Sequence, residues 1–341
     1  MTNLTLSDLG WSDHFARQRD IDAPGTPARL TAVHRDRLEA LGETGALTLT
    51  TPDETGRYAV GDWVIHDAGR VTERLSPATV IGRRAAGEVA KGQLIAANVD
   101  TLAIVTSCNA DFNEARLERY LAIASAGGAL PLILLTKADL AEDEAGYRRR
   151  AERLSPLVTA LTLDARDPEE IGRLAPWCRA GQTLALVGSS GVGKTTILNG
   201  LCGLDETTQG IREDDAKGRH TTTHRALRRT RAGGWVIDTP GMRELRLTDA
   251  GEGIEAVFAD LSELALACRF ADCAHETEPG CAIRAAIAAG DLDPDRLRRW
   301  QKLQREDAYN SETVAEMRAR ARGLNRLYAG GRARSKAKRE I

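Results

Sequence analysis

The sequence predicts a multidomain chain: a small N-terminal β-barrel, a central α/β unit with a parallel sheet, and a mostly helical C-terminal part built round a metal. Three observations carry that reading. Short apolar stretches punctuated by glycine run from Arg29 to about Arg84, largely apolar runs alternate with helical patterning from about Gln93, and three Cys and one His gather between residues 268 and 281. The length of 341 residues suits two or three domains with ample core. A 42% apolar and 28% charged composition is that of a soluble globular protein. No apolar run approaches the ~18 residues of a membrane span. Met1–Leu6 lacks the basic and apolar regions of a signal peptide. The chain therefore reads as cytoplasmic, with no membrane partner and with its six cysteines reduced unless a metal holds them.

Residues 1–28 are polar, with Pro24, Gly25 and Pro27 near their end, and are expected to form a loosely ordered extension. Residues 29–92 form the first domain. Leu30–Val33, Ala46–Thr50, Asp62–His66 and Thr79–Ile81 are short strands at close spacing, a barrel pattern that fits an OB-type or an SH3-like barrel equally. Residues 93–250 form the second. Thr101–Thr106, Leu130–Leu135, Leu184–Val187 and Trp235–Ile237 are apolar runs, as parallel strands covered on both faces require. Asn113–Ala126 carries Leu117, Leu121 and Ala124 at helical spacing. Residues 251–341 are the third. Ile254, Val257, Phe258, Leu261 and Leu264 make an apolar stripe, and Asp293 caps a helix that opens with Pro294 and runs to about Glu306.

The strand ends carry chemistry. Gly188-Ser189-Ser190-Gly191-Val192-Gly193-Lys194-Thr195 is a complete phosphate loop between a strand and a helix. Binding a triphosphate is a problem of charge. The loop meets it with inward backbone N–H groups and the positive end of the helix that follows. Lys194 is expected to reach the β- and γ-phosphates and the Thr195 hydroxyl to ligate Mg²⁺, with Thr196 beside it on the nucleotide. Asp238-Thr239-Pro240-Gly241 ends the next apolar run and reads as a switch loop. Asp238 would stand behind Mg²⁺ and the Gly241 N–H would sense the γ-phosphate. Thr136-Lys137-Ala138-Asp139 reads as the guanine-specificity motif, N-K-x-D with Thr for Asn. Asp139 would accept two hydrogen bonds from guanine, and the Lys137 stem would cover the base. The companion base loop falls at Asp164-Ala165, where Ser-Ala is usual.

The order of these motifs is unusual. The guanine motif normally comes last; here it stands about fifty residues before the phosphate loop. A circularly permuted P-loop GTPase domain produces that order. It also puts the switch segment immediately before the C-terminal domain. A Ras-type enzyme carries, after D-x-x-G, a Gln that orients the attacking water. Met242 stands there instead, and its thioether is no donor. His220, in the segment before Asp238, is the candidate catalytic group.

Cys268, Cys273, His275 and Cys281 place four soft or borderline ligands within 14 residues. Cys3His is a common structural zinc set, and four protein ligands leave no open position for catalysis. The expectation is one structural Zn²⁺ in a zinc-binding helical domain. Cys108, Cys178 and Cys202 lack a second ligand type close by and read as ordinary buried residues. Charge is asymmetric along the chain. From Arg318 onward nine Lys or Arg stand against one Glu, a charge of +8, which leaves −10 on the remainder of a chain whose formal net charge is −2. A basic tail on an acidic body points to a polyanionic partner.

The chain resembles the ribosome small-subunit-dependent GTPase A family (RsgA, also called YjeQ) from about residue 29 to about 320. The resemblance is carried by Ile95–Asp100, Gly191–Lys194, Lys217–His224, Asp238–Glu244, the Cys268–His275 run and Glu278-Pro279-Gly280-Cys281. It implies an OB-fold, a permuted GTPase domain and a zinc domain. It implies a GTP hydrolase, monomeric in the cytoplasm, that binds the 30S subunit and its rRNA late in maturation. The switch threonine on Mg²⁺ would come from Thr221, Thr222 or Thr223. Two other functions fit some of the residues: an RNA-binding maturation factor in which GTP is mainly a structural ligand, and a P-loop ATPase or kinase with an unrelated zinc module. Lys194, Thr195 and Asp238 oppose the first and Asp139 the second.

Overall fold

The structure, a computed structural model, describes residues 4–20, 24–84, 92–156, 158–204, 225–238, 247 and 249–311. The N-terminal segment departs from expectation. Residues 4–20 are packed, with a short helix α1 (Asp13–Ala16) and with Leu9 and Phe15 buried. Trp11 stands edge-on to Trp63 at 4.9 Å, and Phe15 lies 5.8 Å from the same ring. These large apolar side chains lie among polar neighbours, and their burial outweighs the disorder that the surrounding composition suggests.

Strands β1 (Thr26–Val33), β2 (Leu38–Gly42), β3 (Gly45–Leu49), β4 (Trp63–Asp67) and β5 (Arg70–Arg74) pair antiparallel in the order β3-β2-β1-β4-β5. The end of β3 then meets β5 in a parallel contact: Thr50 N donates to Gly69 O and Val71 N to Thr50 O, both at 2.9 Å. The sheet thus closes as a five-stranded barrel of OB type. Alternate residues point inward, so Leu30, Leu38, Leu49, Val64 and Val71 fill it. A hairpin of β6 (Val80–Arg84) and β7 (Gly92–Ala97) leads to the second sheet.

That sheet contains β8 (Thr101–Ser107), β9 (Leu130–Thr136), β10 (Thr159–Leu163), β11 (Thr183–Gly188), β12 (Ala226–Arg229) and β13 (Trp235–Asp238), in the order β10-β9-β8-β11-β13-β12. All neighbours are parallel except β12, which runs against β13. The chain enters mid-sheet at β8, runs to one edge, returns to the centre at β11 and fills the other side. The phosphate-loop strand, first in an ordinary GTPase order, is here fourth of the six. Helices α2 (Glu114–Ala126), α3 (Glu144–Glu152), α4 (Pro168–Gly172) and α5 (Lys194–Cys202) connect the strands. Asn113 caps α2, its side chain accepting from Arg116 N at 3.0 Å.

The C-terminal part is helical: α6 (Gly251–Val257), α7 (Ala259–Leu266), α8 (Ala282–Ala289) and α9 (Pro294–Ser311). The last helix runs one turn and more beyond its expected end at about Glu306. Ile254, Val257, Phe258 and Leu261 of the apolar stripe are buried. Helix α6 lies directly on α2: a Cβ at Gly253 would sit 2.1 Å from Ala122 O, so only glycine fits that crossing. Buried Glu118 of α2 accepts from Arg299 Nε at 2.7 Å and Arg296 Nη1 at 3.2 Å, both on α9. Burial pushes its carboxyl above the usual range, and the two guanidinium groups pull it back. Among the described residues no helix is long and apolar enough to cross a membrane.

Candidate functional site

The carboxyl ends of β8 and β11 are neighbours at the point where the strand order reverses, which is where open α/β sheets bind ligands. The phosphate loop leaves β11 here. Gly188 has φ +144°, and a Cβ there would lie 2.1 Å from Val105 O of β8, so glycine is required for β11 to end against its neighbour. Helix α5 begins at Lys194, with Thr195 and Thr196 half-buried in its first turn. Lys194 Nζ donates to Gly188 O at 2.9 Å and Ser189 O at 2.5 Å, curled over the loop whose Ser190, Gly191 and Val192 complete the turn. Asp238 ends β13 and registers opposite Leu186 of β11, two residues before the loop.

The other two loops meet the phosphate loop. Buried Thr136 places its hydroxyl 2.6 Å from Val192 O and 3.1 Å from Thr106 O. Its single proton goes to the shorter contact, so the residue that replaces the usual Asn ties the guanine loop to the phosphate loop. A Cβ built on Gly193 would stand 3.6 Å from Thr136 Cγ2 and 3.8 Å from Ala165 Cβ, which places all three loops together. Lys137 adopts a left-handed conformation, φ 56°, ahead of a single 3₁₀ turn that carries Asp139. Asp139 and Asp164 are joined by Arg166, a residue the sequence reading did not single out. Arg166 Nη2 donates to Asp139 Oδ2 at 2.7 Å and Asp164 Oδ2 at 3.0 Å, and Nε donates to Asp164 Oδ1 at 3.0 Å. These bonds hold the Asp164 carboxyl below the usual range and raise the guanidinium. His220, Thr221, Thr222, Thr223 and Gly241 lie outside the described residues, as does the basic tail.

Some distance along the chain, Cys268, Cys273, His275 and Cys281 converge so that their ligand atoms lie within 4.8 Å of one another. Cys281 Sγ is 3.4 Å from His275 Nδ1; Cys268 Sγ is 3.7 Å from Nδ1 and 3.9 Å from Cys281 Sγ. Glu278 organises the intervening loop, its carboxylate accepting from Ala274 N, Glu276 N and Thr277 N at 2.9–3.0 Å. The His275 ring packs 5.7 Å from Trp300 of α9. Three thiols and an imidazole at these separations form a group that can bind one metal ion. Cys108 and Cys178 are buried away from it, as expected, whereas Cys202 is only partly buried. Burial pushes the Cys108 thiol up to about 11.

A model of the RsgA GTPase family matches residues 75–248. The small ribosomal subunit biogenesis GTPase RsgA of Mesorhizobium japonicum is 54% identical over 317 residues, which cover 90% of this chain and 91% of that one. The chain belongs to the RsgA GTPase family. A second relative, small ribosomal subunit biogenesis GTPase RsgA 2 of Vibrio parahaemolyticus, is 45% identical over 333 residues, 96% of this chain and 92% of its own. Two crystal structures share the fold. YjeQ from Thermotoga maritima aligns with a TM-score of 0.61 at 22% identity, covering 82% of this chain and 97% of that one. YloQ, described as a circularly permuted GTPase, aligns at 0.58 and 21% identity, covering 86% and 99%. The permuted strand order is of the kind described for YloQ. The only sequence signal for Arg166 is an opposite charge two residues after Asp164.

Proposed function

We propose that this chain hydrolyses GTP to GDP and phosphate and uses that reaction in biogenesis of the small ribosomal subunit, the role its curated relatives are named for. The observation that carries the reading is the meeting of three loops at one sheet edge: the phosphate loop after β11, Thr136–Asp139 after β9, and Asp164-Ala165 after β10. They offer a triphosphate and a purine base a common cradle.

In this reading the backbone N–H groups of Gly188–Gly193 and the start of α5 take the phosphates. Lys194 exchanges its two carbonyl partners for β- and γ-phosphate oxygens. Thr195 Oγ1, in the first turn of α5, and the Asp238 carboxylate are oxygen donors of the kind Mg²⁺ takes, and Asp238 sits on the strand next to the loop. The ion would neutralise charge between the β- and γ-phosphates. Water attacks the γ-phosphorus as its bond to the bridging oxygen breaks. His220 orients that water once one of Thr221, Thr222 and Thr223, together with the Gly241 N–H, follows the γ-phosphate. Asp139 selects guanine, with Lys137 over the base.

The metal of the C-terminal cluster is zinc in this reading. Zn–S of about 2.3 Å and Zn–N of about 2.0–2.1 Å give tetrahedral edges of about 3.6–3.8 Å. The separations of 3.4, 3.7 and 3.9 Å among Cys268, His275 and Cys281 lie close to these edges, and all four ligand atoms fall within 4.8 Å of one another. The ion would hold the loop between α7 and α8, where apolar residues are few. The working parts are residues 29–92, 93–250 and 251–341, of a cytoplasmic monomer whose basic tail meets rRNA phosphates. The test is GTP turnover with and without purified small subunits. Subunit-stimulated turnover supports the reading. Intact GTP binding with no turnover in either condition refutes hydrolysis and leaves the nucleotide as a structural ligand.

A further inference from the structure

We propose that Arg166 determines how this site reads the 2-position of a purine base: it holds one oxygen of Asp139 and leaves the other as the main acceptor for the base. The inference rests on the reading of Asp139 as the base-contacting carboxylate.

Arg166 reaches from the loop after β10 across to the loop after β9. Its Nη2 lies 2.7 Å from Asp139 Oδ2. The Arg166 side chain is 68% exposed, but its guanidinium is held by partners on both loops. Both Asp164 oxygens hold the guanidinium fork at 3.0 Å, and Asp164 Oδ1 also accepts from the Arg166 backbone N–H at 2.9 Å. A planar fork gripped on two sides keeps one orientation. The carboxylate at position 164 therefore has a function here: it aims Arg166 at Asp139. Asp139 is still 29% exposed, so a base can reach it.

Guanine offers a carboxylate two donors, N1–H and the 2-amino group. Hypoxanthine offers N1–H alone. A carboxylate with both oxygens open discriminates between the two by a full charge-assisted hydrogen bond, about tenfold or more. Here Oδ2 already shares its charge with the guanidinium and accepts a further bond only from the side Arg166 leaves open. The 2-amino bond is the weaker of the two, and the preference for guanine over hypoxanthine narrows.

The experiment is displacement of a fluorescent GDP from the full chain by GDP and by inosine diphosphate. The parent protein is expected to favour GDP by less than about fivefold. Removing the cation alone would leave two carboxylates facing each other, so the deciding variant is Arg166→Ala with Asp164→Ser, which removes both. It is expected to widen the preference to about tenfold or more. A parent preference already that wide and unchanged in the double variant overturns the proposal. Asp139→Asn separates the two layers. If it moves preference toward xanthosine diphosphate while the double variant changes nothing, the Arg166 inference alone fails. If it leaves base choice untouched, the Asp139 reading fails with it.

Discussion

Replacing Arg29 with Met is expected to destabilise the chain by about 3–5 kcal/mol. Arg29 is a fully buried cation where the barrel, the N-terminal segment and the second sheet join. Its Nη1 donates to Leu9 O at 2.6 Å, and its Nη2 to Thr183 Oγ1 at 2.7 Å and Asn98 O at 3.0 Å. A bond from a charged donor contributes about 1.5–3 kcal/mol, so the three together contribute about 4.5–9 kcal/mol. Against them stands the cost of keeping the guanidinium charged without water. Burial lowers its pKa from the usual arginine range to about 10, on the order of 3 kcal/mol. Met recovers part of the packed volume but leaves the Leu9 and Asn98 carbonyls short of a donor, at about 1–3 kcal/mol each. Because the folded-state value is the depressed one, the unfolded chain holds the proton more tightly. This group therefore makes stability rise with pH only above about 10, up to the ordinary arginine range, and leaves the neutral range flat. The assay is urea unfolding followed by tryptophan emission, since Trp11 and Trp63 sit at the same junction. A loss below about 1 kcal/mol, or an Arg29→Lys variant as stable as the parent, would refute the reasoning: one ammonium nitrogen cannot reach three separated acceptors.

Three further outcomes follow from the site. Asp139→Asn should weaken GTP and improve xanthosine triphosphate, whose ring swaps a donor for an acceptor; equal binding of ATP and GTP by the parent would sink the guanine assignment. Metal analysis of reductively purified protein should find one zinc per chain, and Cys273→Ala should abolish it. Hydrogen exchange in that variant should speed up across residues 267–290 and spare α6 and α9, which are held on α2 by Gly253 and Glu118; loss of protection throughout residues 250–311 would contradict that division. His220→Ala should leave GTP and small-subunit binding normal and lower subunit-stimulated turnover by roughly 10²-fold or more. Full stimulated turnover would move the role to another group.

What the sequence disclosed and what it concealed divide along physical lines. The strands at 101–107, 130–136, 183–188 and 235–238 were legible because parallel strands buried on both faces must be continuously apolar. The phosphate loop and the cysteine cluster were legible because their chemistry is local in sequence. Residues 4–20 were misread because Trp11 and Phe15 are explained only by Trp63, about fifty residues away. The barrel pattern left OB-type and SH3-like folds open, since the contact of Thr50 with residues 69–71 that closes it is likewise non-local. Strands β2 and β5 went unmarked, being short and carrying charged residues on the outer face. Arg166 belongs to the same class as Trp63. Its meaning lies in a partner 27 residues away, and no periodicity marks a side chain that crosses between two loops.

The permuted strand order has a consequence for synthesis. Strand β8 is fully buried and needs a partner on each side, β9 and β11. The first emerges from the ribosome within about 30 residues, but the second begins roughly 75 residues after β8 ends. At about 5–20 residues per second, the apolar edge of Thr101–Ser107 waits on the order of 4–15 seconds for β11. An unpaired inner strand is a template for wrong pairing throughout that interval. In the unpermuted order the phosphate-loop strand is made first and stands ready when its neighbours arrive. Here the nascent chain carries a half-built sheet with its centre exposed, and the strand that covers the open side of β8 is also the one that delivers the phosphate loop. Covering β8 on its second side and gaining the phosphate loop are, for this chain, one event.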